Sequence, residues 1–202
     1  MGHIILIISI LGILLSFPVK YSFAEEQNEK KEEEVNYWLN AGYGVVGTFN
    51  SYRDIIGISL SAQTKRSLFS IRYIRVQETL SVAGPKLEIH PSEIVWDLGL
   101  LYGVCEKGSS AFGAVAAGLA AVGGQNRGKY LYSIGGGCTD HNNDYYETLG
   151  YLTVGIPVEA QLMWTPFPFV GAGLWGFADL NPKKSFGGLL LTIQIGKLNP
   201  LW

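Results

Sequence analysis

The chain has 202 residues, a formal net charge of −2, 26 glycines, 12% aromatic residues and only 16% charged residues. A soluble domain usually carries about a quarter charged residues, and a nucleic-acid-binding surface needs clustered excess lysine and arginine, so both classes are disfavoured. Beyond residue 19 no apolar run reaches the roughly 20 residues of a spanning helix, and the apolar character is spread over short alternating segments.

Taken in order, residues 4–19 form an uncharged apolar run of 16, and Ser22-Phe23-Ala24 places small residues just before Glu25. This pattern predicts a cleaved secretory signal over 1–24. Only Met1, Gly2 and His3 precede the run, without a Lys or Arg. The alternative is an uncleaved anchor helix, for which the run is short and Pro18 interrupts its end. Residues 25–35 read as an acidic, disordered periplasmic arm, with six glutamates and two lysines in 25–34 that water solvates readily. Without those ten residues and Lys20 the chain holds 12 basic and 11 acidic residues, close to neutral.

Residues 36–202 divide into eight segments of about 9–11 residues or somewhat longer, the span of a tilted transmembrane strand. The first, 37–49, sets Tyr37, Leu39, Ala41, Tyr43 and Val45 against Asn40, Gly42, Gly44 and Thr48. The second, 54–64, sets Ile56, Ile58, Leu60 and Ala62 against Gly57, Ser59, Ser61 and Gln63. The third, 67–77, opposes Phe69, Ile71 and Tyr73 to Ser70, Arg72 and Ile74. The fourth, 93–105, opposes Ile94, Trp96, Leu98, Leu100 and Tyr102 to Val95, Asp97, Gly99, Leu101 and Gly103.

The fifth, 110–123, is weakly patterned and admits an Ala-rich helix, although Gly113, Gly118 and Gly123 oppose one. The sixth, 148–162, alternates clearly, and Pro157 within it predicts a bulge. The seventh, 169–179, is glycine-rich and aromatic. In the eighth, Leu189, Leu191, Ile193 and Ile195 share one face and Leu190, Thr192, Gln194 and Gly196 the other. One apolar and one mixed face is what a strand needs between lipid and a packed interior. The fold expected is therefore all-β: an eight-stranded antiparallel up-and-down transmembrane β-barrel following an N-terminal signal peptide.

The connections sort by length. Lys65-Arg66, 106–109 and 164–168 are short, whereas 79–92 and 124–147 are long and rich in Gly, Asn and Ser. Bacterial barrels have short periplasmic turns and longer outer loops. With a periplasmic N-terminus, these three short turns fall inside and both long loops outside, together with the modest connections 50–53 and 180–184. Cys105 then lies at the periplasmic end and Cys138 in an outer loop. An apolar band about 25 Å tall separates them, too far for a disulfide, which needs Cα atoms within about 7 Å. Two free thiols are expected.

Inward-facing charges are few. Arg72, Asp97 and Glu159, with Gln161, Gln194 and Gln63, are expected to form a paired polar network that closes the lumen. Aromatics near strand ends, among them Tyr37, Trp96, Tyr102, Trp164 and Trp175, fit interfacial girdles. Cys138, Asp140, His141 and Asp144 lack zinc or EF-hand spacing, so no metal and no cofactor is expected. At the start of the fourth segment, His90 and Ser92 point to the same side of a strand, so a His-activated Ser is a weak catalytic candidate.

Three resemblances add to this reading. The terminal aromatic, Trp202, is similar to the C-terminal signal that the barrel-assembly machinery reads during insertion. The stretches Gly155–Leu162 and Phe177–Lys197 resemble uncharacterised small outer-membrane β-barrel proteins of Gram-negative bacteria, which implies fold and membrane but not activity. His90-Pro91-Ser92 is similar to the His-x-Ser arrangement of the lipid A 3-O-deacylases. Glu93 stands where that family has Asn, and Val104 stands near the place of its acidic member. The function expected is a monomeric, non-enzymatic barrel of the bacterial outer membrane with a filled lumen and a structural or surface-interaction role. It would contact membrane lipid and lipopolysaccharide, and no nucleic acid. The alternatives are a small-solute or hydrophobic-compound channel, a lipid A-modifying hydrolase, and a soluble lipocalin-like barrel.

Overall fold

The computed structural model describes residues 35–48, 51–79, 88–108, 110–135 and 142–198. Residues 1–34, which include the expected signal and almost all of the acidic arm, lie outside the described residues, as do Cys138 and Trp202. The strands are β1 (Val35–Thr48), β2 (Ser51–Thr64), β3 (Ser67–Thr79), β4 (Glu88–His90), β5 (Ile94–Lys107), β6 (Ala111–Gly135), β7 (Asn142–Phe167), β8 (Val170–Leu180) and β9 (Phe186–Lys197). Eight of them close a ring in which every neighbour is antiparallel, sealed by β1 against β9 and by β7 against β8. The short β4 lies outside the ring and pairs parallel with β7.

The two-residue period explains both faces. On the outside, Leu60, Leu100, Leu119, Leu152, Leu191 and Ile193 are all more than half exposed. A soluble barrel would hide such residues. Here they form the apolar band that lipid covers. Inward positions are buried. The expected eight-stranded transmembrane barrel is the fold observed, and the ambiguous fifth segment is strand from Ala111 onward.

Two expectations are corrected. Residues 124–147 were expected to form a loop, but most of that stretch continues β6 and β7 as a paired hairpin. The Gly and Asn content marked it as irregular, whereas cross-strand pairing and the interleaved tyrosines extend the ladder. Pro157 makes no bulge: the β6–β7 ladder skips a step beside it and resumes in the same register, as Ala117↔Val158 and Ala120↔Gly155 show. The irregularities lie elsewhere, between Arg127 and Tyr132 on β6 and at Trp164–Phe167 on β7.

Connections at one end are tight. Lys65-Arg66 joins β2 to β3, with Lys65 in the left-handed region at φ 55° and its carbonyl accepting from Gln63 Nε2 at 2.7 Å. Pro168-Phe169 joins β7 to β8. This turn end also receives the chain after β9. The opposite, hairpin end carries the extended β6–β7 ladder and the β8–β9 loop.

Candidate functional site: the lumen and the projecting sheet

The interior is layered from the turn end to the hairpin end. The floor is apolar: Trp38, Leu68, Leu101, Cys105, Phe112, Met163 and Leu198 pack together. Trp38 and Phe112 meet with ring centroids 5.4 Å apart. Leu198, the residue after β9, is held there by two backbone-directed bonds. Its N–H donates to the Pro168 carbonyl at 2.9 Å, and its own carbonyl accepts from Lys107 Nζ at 2.9 Å. Cys105 is a buried free thiol in this floor.

Above the floor lies a polar row. Gln194, Asn40, Ser59 and Arg72 are register partners across β9, β1, β2 and β3, all facing inward and essentially inaccessible. The side-chain amides of Asn40 and Gln194 and the Ser59 hydroxyl have no protein partner among the described residues. Polar groups so placed suit ordered internal water.

The waist is charged. Arg72 on β3 meets Asp97 on β5 in a two-point contact, Nη2 to Oδ2 at 2.7 Å and Nε to Oδ1 at 3.4 Å, and lies 3.6 Å from Glu159 Oε2 on β7. Its Nη1 also donates to the Val158 carbonyl at 3.2 Å, and Phe177 lies under the guanidinium at 5.7 Å. Gln161 Nε2 and Trp175 Nε1 each donate to Glu159 at 3.1 Å. Sequence reasoning missed Trp175 as a lumen donor and Asp179 as a third buried acid. Asp179 accepts from Asn181 Nδ2 at 2.9 Å. The signal was present: Trp175, Phe177 and Asp179 share one parity on β8.

Beyond the waist, Ile55, Ile74, Val76, Trp175, Phe177 and Leu190 form an apolar plug, with Phe186 packed against it. At the rim, Glu93 gathers charges from across the barrel mouth. It accepts from Lys184 Nζ at 2.7 Å, on the β8–β9 loop, and from Arg53 Nη2 at 3.3 Å, on β2. Lys184 also reaches Asn126 on β6 at 3.2 Å, and Arg127 pairs with Glu78 and donates to the Pro91 carbonyl at 3.0 Å. β5 and β9 stand opposite each other in the ring, so the Glu93–Lys184 pair bridges the mouth.

Partial burial alone would push the Glu93 carboxyl up. The Lys184 hydrogen bond, with the charges of Lys184, Arg53 and Arg127, outweighs it and holds the group below its ordinary value. A depressed folded-state value stabilises the fold above the unfolded-state value of about 4.3, and that contribution is lost as the pH falls through the folded-state value. Glu93→Gln is therefore expected to lower the urea midpoint at neutral pH by an amount worth about 0.5–1 kcal/mol. The gap from wild type should close on titration below about pH 4; a gap unchanged by pH would assign the loss to something other than this charge.

The hairpin leaves the barrel at Gln125, the last residue of β6 paired with β5. The ten residues on to Gly135 reach about 33 Å further at a strand's rise. Tyr132 stacks on Tyr145 at 4.8 Å, Tyr145 stacks on His90 of β4 at 5.2 Å, and Tyr130 meets Tyr146 edge-on at 5.5 Å. His90 thus belongs to an aromatic stack, and the Ser92 carbonyl accepts from Gln125 Nε2 at 2.9 Å. The sequence reading placed neither role.

No protein-family description matches the chain, and no curated protein matches it. Solved structures do. The crystal structure of Ail, the attachment invasion locus protein of Yersinia pestis, aligns with a TM-score of 0.50 at 6% identity, covering 82% of this chain and 99% of that one. The fold is that of a small outer-membrane β-barrel. Ail in a phospholipid bilayer nanodisc gives 0.48 at 12% identity, covering 81% and 99%, and Neisserial surface protein A gives 0.48 at 13% identity, covering 80% and 96%.

Proposed function

We propose that the chain is a non-catalytic barrel, monomeric within the bacterial outer membrane, whose projecting β6–β7 sheet makes contacts at the cell surface. In this reading residues 1–24 are its cleaved export signal, 25–35 a periplasmic arm that ends where Val35 opens β1, and Trp202 part of the signal read on insertion. Arg72, Asp97, Glu159, Gln161 and Gln194 serve to fill and fasten the lumen. One observation carries the proposal: the interior is occupied from floor to rim, while the apolar and aromatic side chains without cover continue past the barrel. Tyr130, Leu131, Tyr132 and Ile134 are each more than half exposed on the hairpin. Tyrosine-rich surfaces give large amphipathic contacts at low entropic cost. A hydrolase built on His90 and Ser92 is less well supported, because the His90 ring is committed to Tyr145.

Two measurements test the proposal. Protein refolded into planar bilayers should show no steady conductance, and regular single-channel steps would favour the channel reading. In a Cys138→Ser background, Ser133→Cys on intact cells should react with a membrane-impermeant maleimide. Reaction only after the cells are broken would place the hairpin in the periplasm and end the surface reading.

A further inference from the structure

β6 has two edges, and beyond Gln125 only one of them is paired among the described residues, by β7. The other edge presents backbone N–H and C=O groups that an extended chain would satisfy. Proteins usually blunt such edges with charge, proline or irregularity. Here the register shifts end at Tyr132, and Tyr132–Gly135 pairs regularly with β7. From Tyr130 to Gly135 the sequence is Tyr-Leu-Tyr-Ser-Ile-Gly, with no charge and no proline; the charges Arg127 and Lys129 and the register shifts before Tyr132 lie on the part of the edge nearer the barrel. Short β-prone segments of that composition pair with copies of themselves. The stack of Tyr132, Tyr145 and His90 spans β6, β7 and β4, so the edge is held in place before any partner arrives.

We propose that this edge pairs with the same edge of a second copy of the chain, and that the copy stands in a facing membrane. The direction follows from symmetry and rests on the surface reading above. Two copies in one membrane are related by an axis along the membrane normal. Their β6 strands then run the same way with N–H opposite N–H, and no ladder forms. Copies in opposed membranes are related by an axis across the strands. Their β6 edges meet antiparallel, with donors facing acceptors as an ordinary ladder requires. The protein is thereby single within its own membrane and an adhesive contact between two.

The test uses the full chain reconstituted in phosphatidylcholine vesicles, with vesicle size followed by dynamic light scattering. Wild-type vesicles are expected to cluster, with a several-fold rise in apparent diameter that depends on protein density. The double variant Leu131→Lys/Ser133→Lys puts like charges on the exposed edge and is expected to leave the diameter unchanged. Its heat-dependent gel mobility should match wild type, showing an intact barrel. No clustering by wild type, or equal clustering by a variant with an intact barrel, overturns the inference. Neither result touches the maleimide labelling of Ser133→Cys, which decides the surface reading separately.

Discussion

Arg72→Ala is expected to destabilise the barrel by roughly 3–5 kcal/mol, the cost of stranding a buried charge by removing its partner. The guanidinium is fully inaccessible, 2.7 Å from Asp97 and 3.6 Å from Glu159, with both carboxylates buried as well. Asp179 adds a third buried acid near the waist, so this arginine is the cation that the interior depends on. Against a total stability of about 5–15 kcal/mol, the loss should appear as a large drop in the urea midpoint in detergent, with a reduced folded band on unboiled gels. The loss reflects the unpaired acids rather than the worth of the ion pair. Arg72→Met combined with Asp97→Leu, Glu159→Leu and Asp179→Asn should therefore recover much of it, since replacement of a whole buried ionic cluster by uncharged residues is often neutral or stabilising. A single variant as stable as wild type would mean that the acids are neutralised by other means.

The strands were legible because each carries one lipid-facing and one lumen-facing set, and the alternation of Ile56, Ile58 and Leu60 with Gly57, Ser59 and Ser61 records that difference directly. The same logic explains where reading stopped. From Asn126 to Ile134 no residue of β6 is buried on either face, so no alternation distinguishes Asn126–Gly135 from a loop, and only the pairing with β7 reveals it. The candidate lumen residues were visible as charges at inward parity. That Arg72 chooses Asp97 across the β3–β5 pair and Glu159 on β7 is a matter of three dimensions. The rim was less accessible still. Glu93 and Lys184 lie 91 residues apart and meet only because β5 and β9 stand on opposite sides of an eight-membered ring.

Gly118 shows a further feature that composition alone conceals. A Cβ there would fall 1.9 Å from the Leu100 carbonyl oxygen on β5. The glycine that opposed a helix in the Ala-rich fifth segment is also what lets β5 and β6 approach so closely.

Ile193→Arg is expected to cost about 2–4 kcal/mol, the penalty for a cation on the lipid face near the membrane midplane. Ile193 is 60% exposed on β9, between Ala41 on β1 and Ala172 on β8, away from both strand ends. The substitution touches no lumen group, and the open outer depression that Ile193 lines with Ala41, Tyr43, Ala172 and Leu191 leaves room for a longer side chain, so side-chain packing alone would make it nearly neutral. In a soluble barrel the same change would replace an exposed apolar residue by a charged one and favour solubility. The sign of the effect thus reports which solvent the outer face meets. Folding into lipid vesicles, followed by tryptophan fluorescence over a urea series, should show a lowered midpoint for Ile193→Arg. Lys197→Arg, at the end of the same strand and on the same face, should leave the midpoint near wild type, because it exchanges one cation for another at a position where the native chain already carries one. Equal and negligible effects at both positions would show that the apolar band does not face lipid.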